Sequence, residues 1–236
     1  MTSSASRRPC GLFLFDLDGT LIDSRADISH SLNLALARMN LPPLEEARIA
    51  DFVGEGVQKL VERALRELTG RQPESAWTQK GIVLFREEYG NHLLDRTRLC
   101  PNVKEALDRL PWAKFAVVSN KPEGFSRRIL AGLGLENRFC TILGGDSIKK
   151  RKPDPESLLK AMDSCMALPP ETAMIGDSAV DIAAGKAAGV FTCGIRGGFR
   201  PEGELEAAGC DLIIEDLLEL AECFCAPAGP GFSSTD

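Results

Sequence analysis

Short, wholly apolar runs separated by longer helix-like stretches restrict this chain more than any other feature. The runs fall at Leu12–Phe15, Phe115–Val118, Thr141–Leu143, Ala173–Ile175 and Val190–Cys193. A strand that is apolar at every position, rather than at alternate ones, is covered on both faces, which is the condition of a strand inside a parallel sheet sandwiched by helices. Parallel neighbours also need long crossovers, and the intervening stretches supply them. The chain is therefore predicted to be α/β, with a Rossmann-like three-layer core around a parallel sheet; Leu212–Ile214 adds an edge strand. With 44% apolar residues among 236, there is ample material for such a core.

The alternation stops between residues 24 and 96. No strand is legible there, only amphipathic stretches at Ile28–Met39, Val57–Leu68 and Trp77–Leu94, divided by the turns Pro42-Pro43 and Phe52-Val53-Gly54-Glu55-Gly56. Residues 24–96 are predicted to form an inserted all-helical cap domain, leaving 1–23 and 97–225 as the catalytic core. The Pro/Gly/Ser-rich tail, 226–236, is expected to be disordered.

A net charge of −6 would repel a polyphosphate backbone, so nucleic acid is not an expected partner. The apolar stretch that ends at Asp16 is too short for a secretory signal or a membrane span, and a cytoplasmic location without membrane contact is expected. Eight scattered cysteines with no C-x-x-C pair read as reduced thiols. Cys223 and Cys225 have no second pair or histidine cluster to complete a zinc site.

Ligands of open α/β sheets sit beyond the carboxyl ends of the strands, so the residues that follow each apolar run are the candidate site. After the first run come Asp16-Leu17-Asp18-Gly19-Thr20, where strand alternation sends Asp16 and Asp18 to one side. Two carboxylates in one small space suggest Mg²⁺ or a shared proton; the alternative is an ordinary acidic turn. Ser119 and Asn120 offer a hydroxyl and backbone N–H groups to phosphate oxygens, or simply cap a helix. In Lys149-Lys150-Arg151-Lys152-Pro153 most of the charges belong to a solvated face, and one lysine set before proline can turn inward to neutralise a phosphate. Asp177 and Asp181, in Gly176-Asp177-Ser178-Ala179-Val180-Asp181, suit a hard cation or a capped helix start. Each motif alone is weak. Together, at strand ends along one sheet edge, they supply a nucleophile, an acid/base, phosphate clamps and metal ligands, the set required for phosphoryl transfer.

In this order the motifs Asp16-x-Asp18-Gly19-Thr20, Ser119, Lys152-Pro153 and Gly176-Asp177-Ser178-x-x-Asp181 resemble those of the haloacid-dehalogenase superfamily phosphatases, over residues 12–215. Leu21–Ile28 and Phe52–Leu60 are similar to the cap of the phosphoglycolate phosphatases. The resemblance implies that Asp16 attacks phosphorus and that Asp18 acts as acid and then base. It implies Mg²⁺ held by Asp16, Asp177 and the backbone carbonyl of Asp18, with Asp181 in support. Ser119, the Asn120 N–H and Lys152 would bind the transferring oxygens, and Gly19 and Thr20 would shape the phosphate loop. Gly54 and Gly56 would line the substrate in the cap, with Arg25, Lys59 and Arg63 as candidates for reading a carboxylate.

The expected function is magnesium-dependent hydrolysis of a small phosphorylated metabolite, 2-phosphoglycolate first, by a monomer or homodimer. Pyrophosphate, nucleotides and sugar phosphates are alternative substrates within the superfamily, and a β-phosphoglucomutase-like isomerase is an alternative reaction. Asp18 argues against dehalogenation, which needs no leaving-group acid. Outside enzymes, the alternative is a phospho-acceptor receiver domain.

Overall fold

The computed structural model describes residues 7–228; the rest of the chain, including positions 229–236 of the tail expected to be disordered, lies outside the described residues. Six strands form one sheet in the spatial order Thr141–Leu143, Lys114–Val118, Leu12–Phe15, Thr172–Gly176, Phe191–Ile195, Leu212–Ile214, every neighbouring pair parallel. Numbered along the chain this is 3-2-1-4-5-6, the doubly wound order, and its direction reverses between the first and fourth strands.

Alternation along the strands divides their side chains between two cores. Phe13, Phe15, Phe115, Val117, Ala173 and Ile175 belong to one, whereas Leu12, Leu14, Ala116, Val118 and Met174 belong to the other. The second core is closed by the helix Glu156–Cys165 through Leu158, Ala161 and Met162. Both faces of the sheet are thus dry, which is why the runs carry no polar alternation.

The strand expected at Val190–Cys193 is observed at Phe191–Ile195. Gly189, with φ 71°, ends the preceding helix, and the Val190 N–H bonds back to Gly185, so Val190 belongs to the helix end.

Residues 24–97, within the segment between the first and second sheet strands, carry four helices: α1 (Arg25–Arg38), α2 (Glu46–Ala50), α3 (Val57–Thr69) and α4 (Ser75–Asn91). Of these, α2 has too few residues to show a period and was not legible in the sequence. Leu60, Val61, Ala64 and Leu65 form the buried stripe of α3. It crosses α4 closely at Gly81, where a Cβ would come within 2.7 Å of Val61 Cγ1. The chain enters and leaves this helical segment side by side. Ile22–Asp23 pairs antiparallel with Arg98–Leu99, and the buried Asp27 carboxylate accepts hydrogen bonds from the Arg96 and Thr97 N–H groups and from the Thr97 hydroxyl.

Candidate active site

The reversal point of the sheet lies between Leu12–Phe15 and Thr172–Gly176, and the residues that follow those strands are Asp16 and Asp177. Ser119 follows the strand on the other side of Leu12–Phe15, with its N–H bonded to the Leu143 carbonyl. The sheet register therefore brings together residues separated by more than 150 positions.

Asp16, Asp177 and Asp181 converge: each offers a carboxylate oxygen, and these oxygens lie within 4.8 Å of one another, all on buried residues. Lys152 Nζ bridges two of them, 2.9 Å from Asp16 Oδ1 and 2.6 Å from Asp181 Oδ1. The basic cluster resolves as one inward lysine among solvated neighbours, since Lys152 is only 4% exposed and Lys150 lies at the surface. Asp181 also holds its own loop, its Oδ2 accepting from the Ser178 N–H and hydroxyl. Asp177 Oδ2 accepts the Phe199 N–H at 2.7 Å. Two glycines make room for it: a Cβ on Gly19, where φ is 85°, would stand 2.2 Å from Asp177 Oδ2, and one on Gly198 would stand 2.4 Å from Asp177 Cβ.

Asp18 belongs to a second group. Its carboxylate does not join the cluster of three; Oδ1 accepts from Lys121 Nζ at 2.6 Å and from the Ser24 hydroxyl. Lys121 Nζ also donates to Tyr89 Oη at 2.7 Å, so α4 touches the site directly. Tyr89 stacks on Phe85 and meets the edge of Phe125. Neither Lys121 nor Tyr89 was singled out from the sequence. Lys121 looked like part of a helix start, and Tyr89 like one more apolar position of α4, although it is the only tyrosine in the chain.

The electrostatics leave this site short of positive charge. Four buried carboxylates, of Asp16, Asp18, Asp177 and Asp181, face two buried ammonium groups, of Lys121 and Lys152. Burial, then the charges of Asp181 and Asp16, pushes the Asp177 carboxyl up to about 8. Burial also raises that of Asp16, against the opposing charge of Lys152. Burial alone would lower both lysines; Asp18 and Tyr89 hold Lys121 above its ordinary value, as Asp16 and Asp181 do Lys152.

Asp16, Asp18, Ser119, Asn120 and Lys121 line one side of a cavity of about 40 Å³, and the helical segment lines the other with Gly54, Gly56, Val57, Leu60, Phe85 and Tyr89. Asn120 ties the two sides: its side-chain amide donates to the Gly54 carbonyl at 2.9 Å and to the Lys152 carbonyl at 3.0 Å. Arg200 makes a second tie, its guanidinium donating to the carbonyls of Asp51 and Val53. Gly19 and Thr20 do not line the cavity; Gly19 shapes the turn beside Asp177, and the Thr20 hydroxyl is fully buried with no partner among the described residues.

The three cations considered for reading a carboxylate from the cap point elsewhere. Arg25 pairs with Asp23, Lys59 with Glu62, and Arg63 with Glu55, and none lines the cavity. Each found an acidic neighbour within eight residues along the chain, a competition that spacing alone does not reveal.

This fold and this arrangement of aspartates and lysines coincide with a known family. Residues 13–195 match the haloacid dehalogenase-like hydrolase family, and the chain belongs to it. It is therefore an enzyme, which sets aside the phospho-acceptor receiver. Among its relatives, a phosphoglycolate phosphatase of Chromobacterium violaceum is 35% identical over 87% of this chain and 92% of its own length. Another, of Haemophilus influenzae, is 35% identical over 87% of this chain and 94% of its own. The crystal structure of a predicted phosphoglycolate phosphatase from Haemophilus somnus superimposes with a TM-score of 0.84 at 31% identity, covering 90% of this chain and 97% of that one.

Proposed function

We propose that this enzyme is a Mg²⁺-dependent phosphomonoester hydrolase acting through a phospho-aspartyl intermediate on Asp16, with 2-phosphoglycolate as its substrate. The observation that carries the reading is the convergence of Asp16, Asp177 and Asp181 beside a cavity, with a charge deficit that a divalent cation would fill. The relatives named above support the substrate, and the small cavity favours a short phosphate ester over a nucleotide.

The residues present fit a hard cation: all the converging donors are carboxylate oxygens, and burial without full compensation leaves Asp16 and Asp177 at raised proton affinity. Asp16 and Asp177 would hold it with the Asp18 carbonyl, and Asp181 would support the arrangement through Lys152 and Ser178. When bound, Mg²⁺ lowers the repulsion between an anionic nucleophile and an anionic phosphate.

The chain's own groups do the rest. Lys152 fixes Asp16 Oδ1, and Oδ2 receives no hydrogen bond among the described residues, so it is the oxygen that attacks phosphorus. The phosphorus–oxygen bond to the leaving alcohol breaks as Asp18 gives that oxygen a proton. Asp18 then takes a proton from water, which attacks the phospho-aspartate, frees phosphate and restores Asp16. Ser119 and the Asn120 N–H bind the transferring oxygens, and Lys152 offsets their charge. Residues 24–96 act as a cap that excludes bulk water while the intermediate forms.

Phosphate release from 2-phosphoglycolate, pyrophosphate, nucleoside monophosphates and sugar phosphates, with Mg²⁺ or EDTA, tests this. Metal-dependent release that favours 2-phosphoglycolate supports the whole reading. A preference for another ester keeps the mechanism and removes the substrate. A phospho-enzyme that passes its phosphoryl group to a sugar phosphate instead of water would replace hydrolase by mutase.

A further inference from the structure

The buried pair Lys121–Tyr89 has donors to spare. An ammonium carries three N–H groups, and Lys121 spends two, on Asp18 Oδ1 and Tyr89 Oη. The third has no acceptor among the described residues. Tyr89 Oη accepts from Lys121, and its own proton likewise has none. Both residues line the cavity and both are more than nine-tenths buried, Lys121 at 7% exposure and Tyr89 at 1%.

A buried donor without an acceptor costs free energy unless a ligand supplies one. Away from the Asp16, Asp18, Ser119 and Asn120 side of the cavity, the wall is apolar, formed by Ile28, Val53, Leu60, Phe85 and Phe125. The substrate's phosphoryl end is accounted for by Asp16, Ser119 and Lys152. What faces Lys121 and Tyr89 is therefore the other end.

We propose that Lys121 Nζ and Tyr89 Oη together bind the second anionic group of the substrate, a carboxylate a short distance from the phosphate ester, and so set the specificity of the cavity. The inference rests on the phosphatase reading above. It assigns selection to a cation contributed by the core and a hydroxyl contributed by α4, so that an acidic substrate bridges the two sides of the cavity. An ester with a neutral end offers these two donors no acceptor. Charge-assisted hydrogen bonds are also the strong ones, and their loss is felt most where water cannot replace them.

The test compares kcat/KM for 2-phosphoglycolate with that for ethyl phosphate, which has the same carbon count and no carboxylate, in the wild type, Lys121→Met and Tyr89→Phe. Lys121→Met slows both substrates, because it also removes the partner of Asp18. The ratio of the two isolates the carboxylate. We expect that ratio to fall roughly 10- to 100-fold in Lys121→Met, mainly through KM for 2-phosphoglycolate, as for one hydrogen bond from a charged group. Tyr89→Phe, which keeps the ring packing, lowers it several-fold. Thermal melting of each variant shows whether it is folded, and Tyr89→Phe carries the test if Lys121→Met is not. Equal losses on both substrates would overturn the inference and leave Lys121 as a positioning residue for Asp18. A wild type that hydrolyses both esters equally well would overturn it while sparing the phosphatase reading; hydrolysis of neither removes that reading and this inference with it.

Discussion

The two sides of the cavity are built on opposite terms. The core side crowds four carboxylates and two lysines onto the ends of parallel strands, each held by a named partner. The helical side presents mostly apolar surface and a glycine loop, with Tyr89 as its buried polar contribution. Like charges packed together oppose folding, and such a group persists when a ligand is to be bound there. Apolar surface opposes nothing and excludes water. The comparison teaches that the charged groups gather on the sheet edge, whereas the helices contribute apolar wall and the one hydroxyl that meets Lys121.

The sharpest way to break this division is Asp16→Asn. Phosphate release is expected to fall by about 10⁴-fold or more, the order seen when a nucleophile is removed, while melting shows the protein still folded. If a change in the helical segment, such as Tyr89→Phe, cost as much on a neutral ester, the division would be wrong. Lys152→Met comes next, with an expected loss of about 10²–10³ in kcat, as for a group that stabilises transferring oxygens. It also frees Asp16 and Asp181 from their shared partner, so the variant is expected to be less stable without Mg²⁺.

The charge deficit itself makes a third, smaller prediction. The Asp177 carboxyl is raised to about 8 in the fold, from an ordinary value of 3.8. Between those limits the folded protein keeps a proton that the unfolded chain releases, so stability falls as pH rises through this window and levels off above it. In EDTA, the melting temperature of the wild type should drop between about pH 5 and pH 8, with Asp177→Asn dropping less. Mg²⁺ should flatten the wild-type curve. A wild type whose melting is indifferent to both pH and Mg²⁺ would remove the cation from this site.

The smallest effect belongs to the tie across the cavity. Arg200 donates to the Asp51 and Val53 carbonyls; Arg200→Ala is expected to raise KM about two- to ten-fold with little change in kcat, the worth of ordinary hydrogen bonds. A fall in kcat alone would place Arg200 in the chemistry rather than in closure.

The same contrast explains what the sequence reveals. Asp16 and Asp177 are legible because a parallel sheet leaves few choices: polar residues directly after buried strands meet at one edge, and the strand order makes the two neighbours; Lys152, nine residues beyond its strand, is legible only as a lysine fixed before proline. On the helical side a 3.6-residue period marks which positions are apolar, and nothing marks which helix face meets the core. Tyr89 finds Lys121 from 32 positions away, and Arg200 reaches Val53 from 147. Arg25, Lys59 and Arg63 looked suited to a substrate because the acidic residues that engage them belong to local packing. The four sheet strands flanking the site were visible as apolar runs, whereas the two-residue pairing of Ile22–Asp23 with Arg98–Leu99 is too short to leave a pattern.

That pairing has a consequence for how such a chain can be edited. Asp23 and Arg98 are opposite each other in an antiparallel ladder, the geometry of two residues at the mouth of a β-hairpin. A two-residue Asn-Gly turn closes such a mouth, so the 74 residues from 24 to 97 join the rest of the chain at two covalent crossings that a dipeptide can span. None of the six sheet strands passes through the excised stretch. In covalent terms the helical segment is thus a graft on a stem: helices from a relative whose own ends meet in the same way can be joined at positions 23 and 98, exchanging the helical wall of the cavity while Lys121 and the strand-end aspartates stay in register.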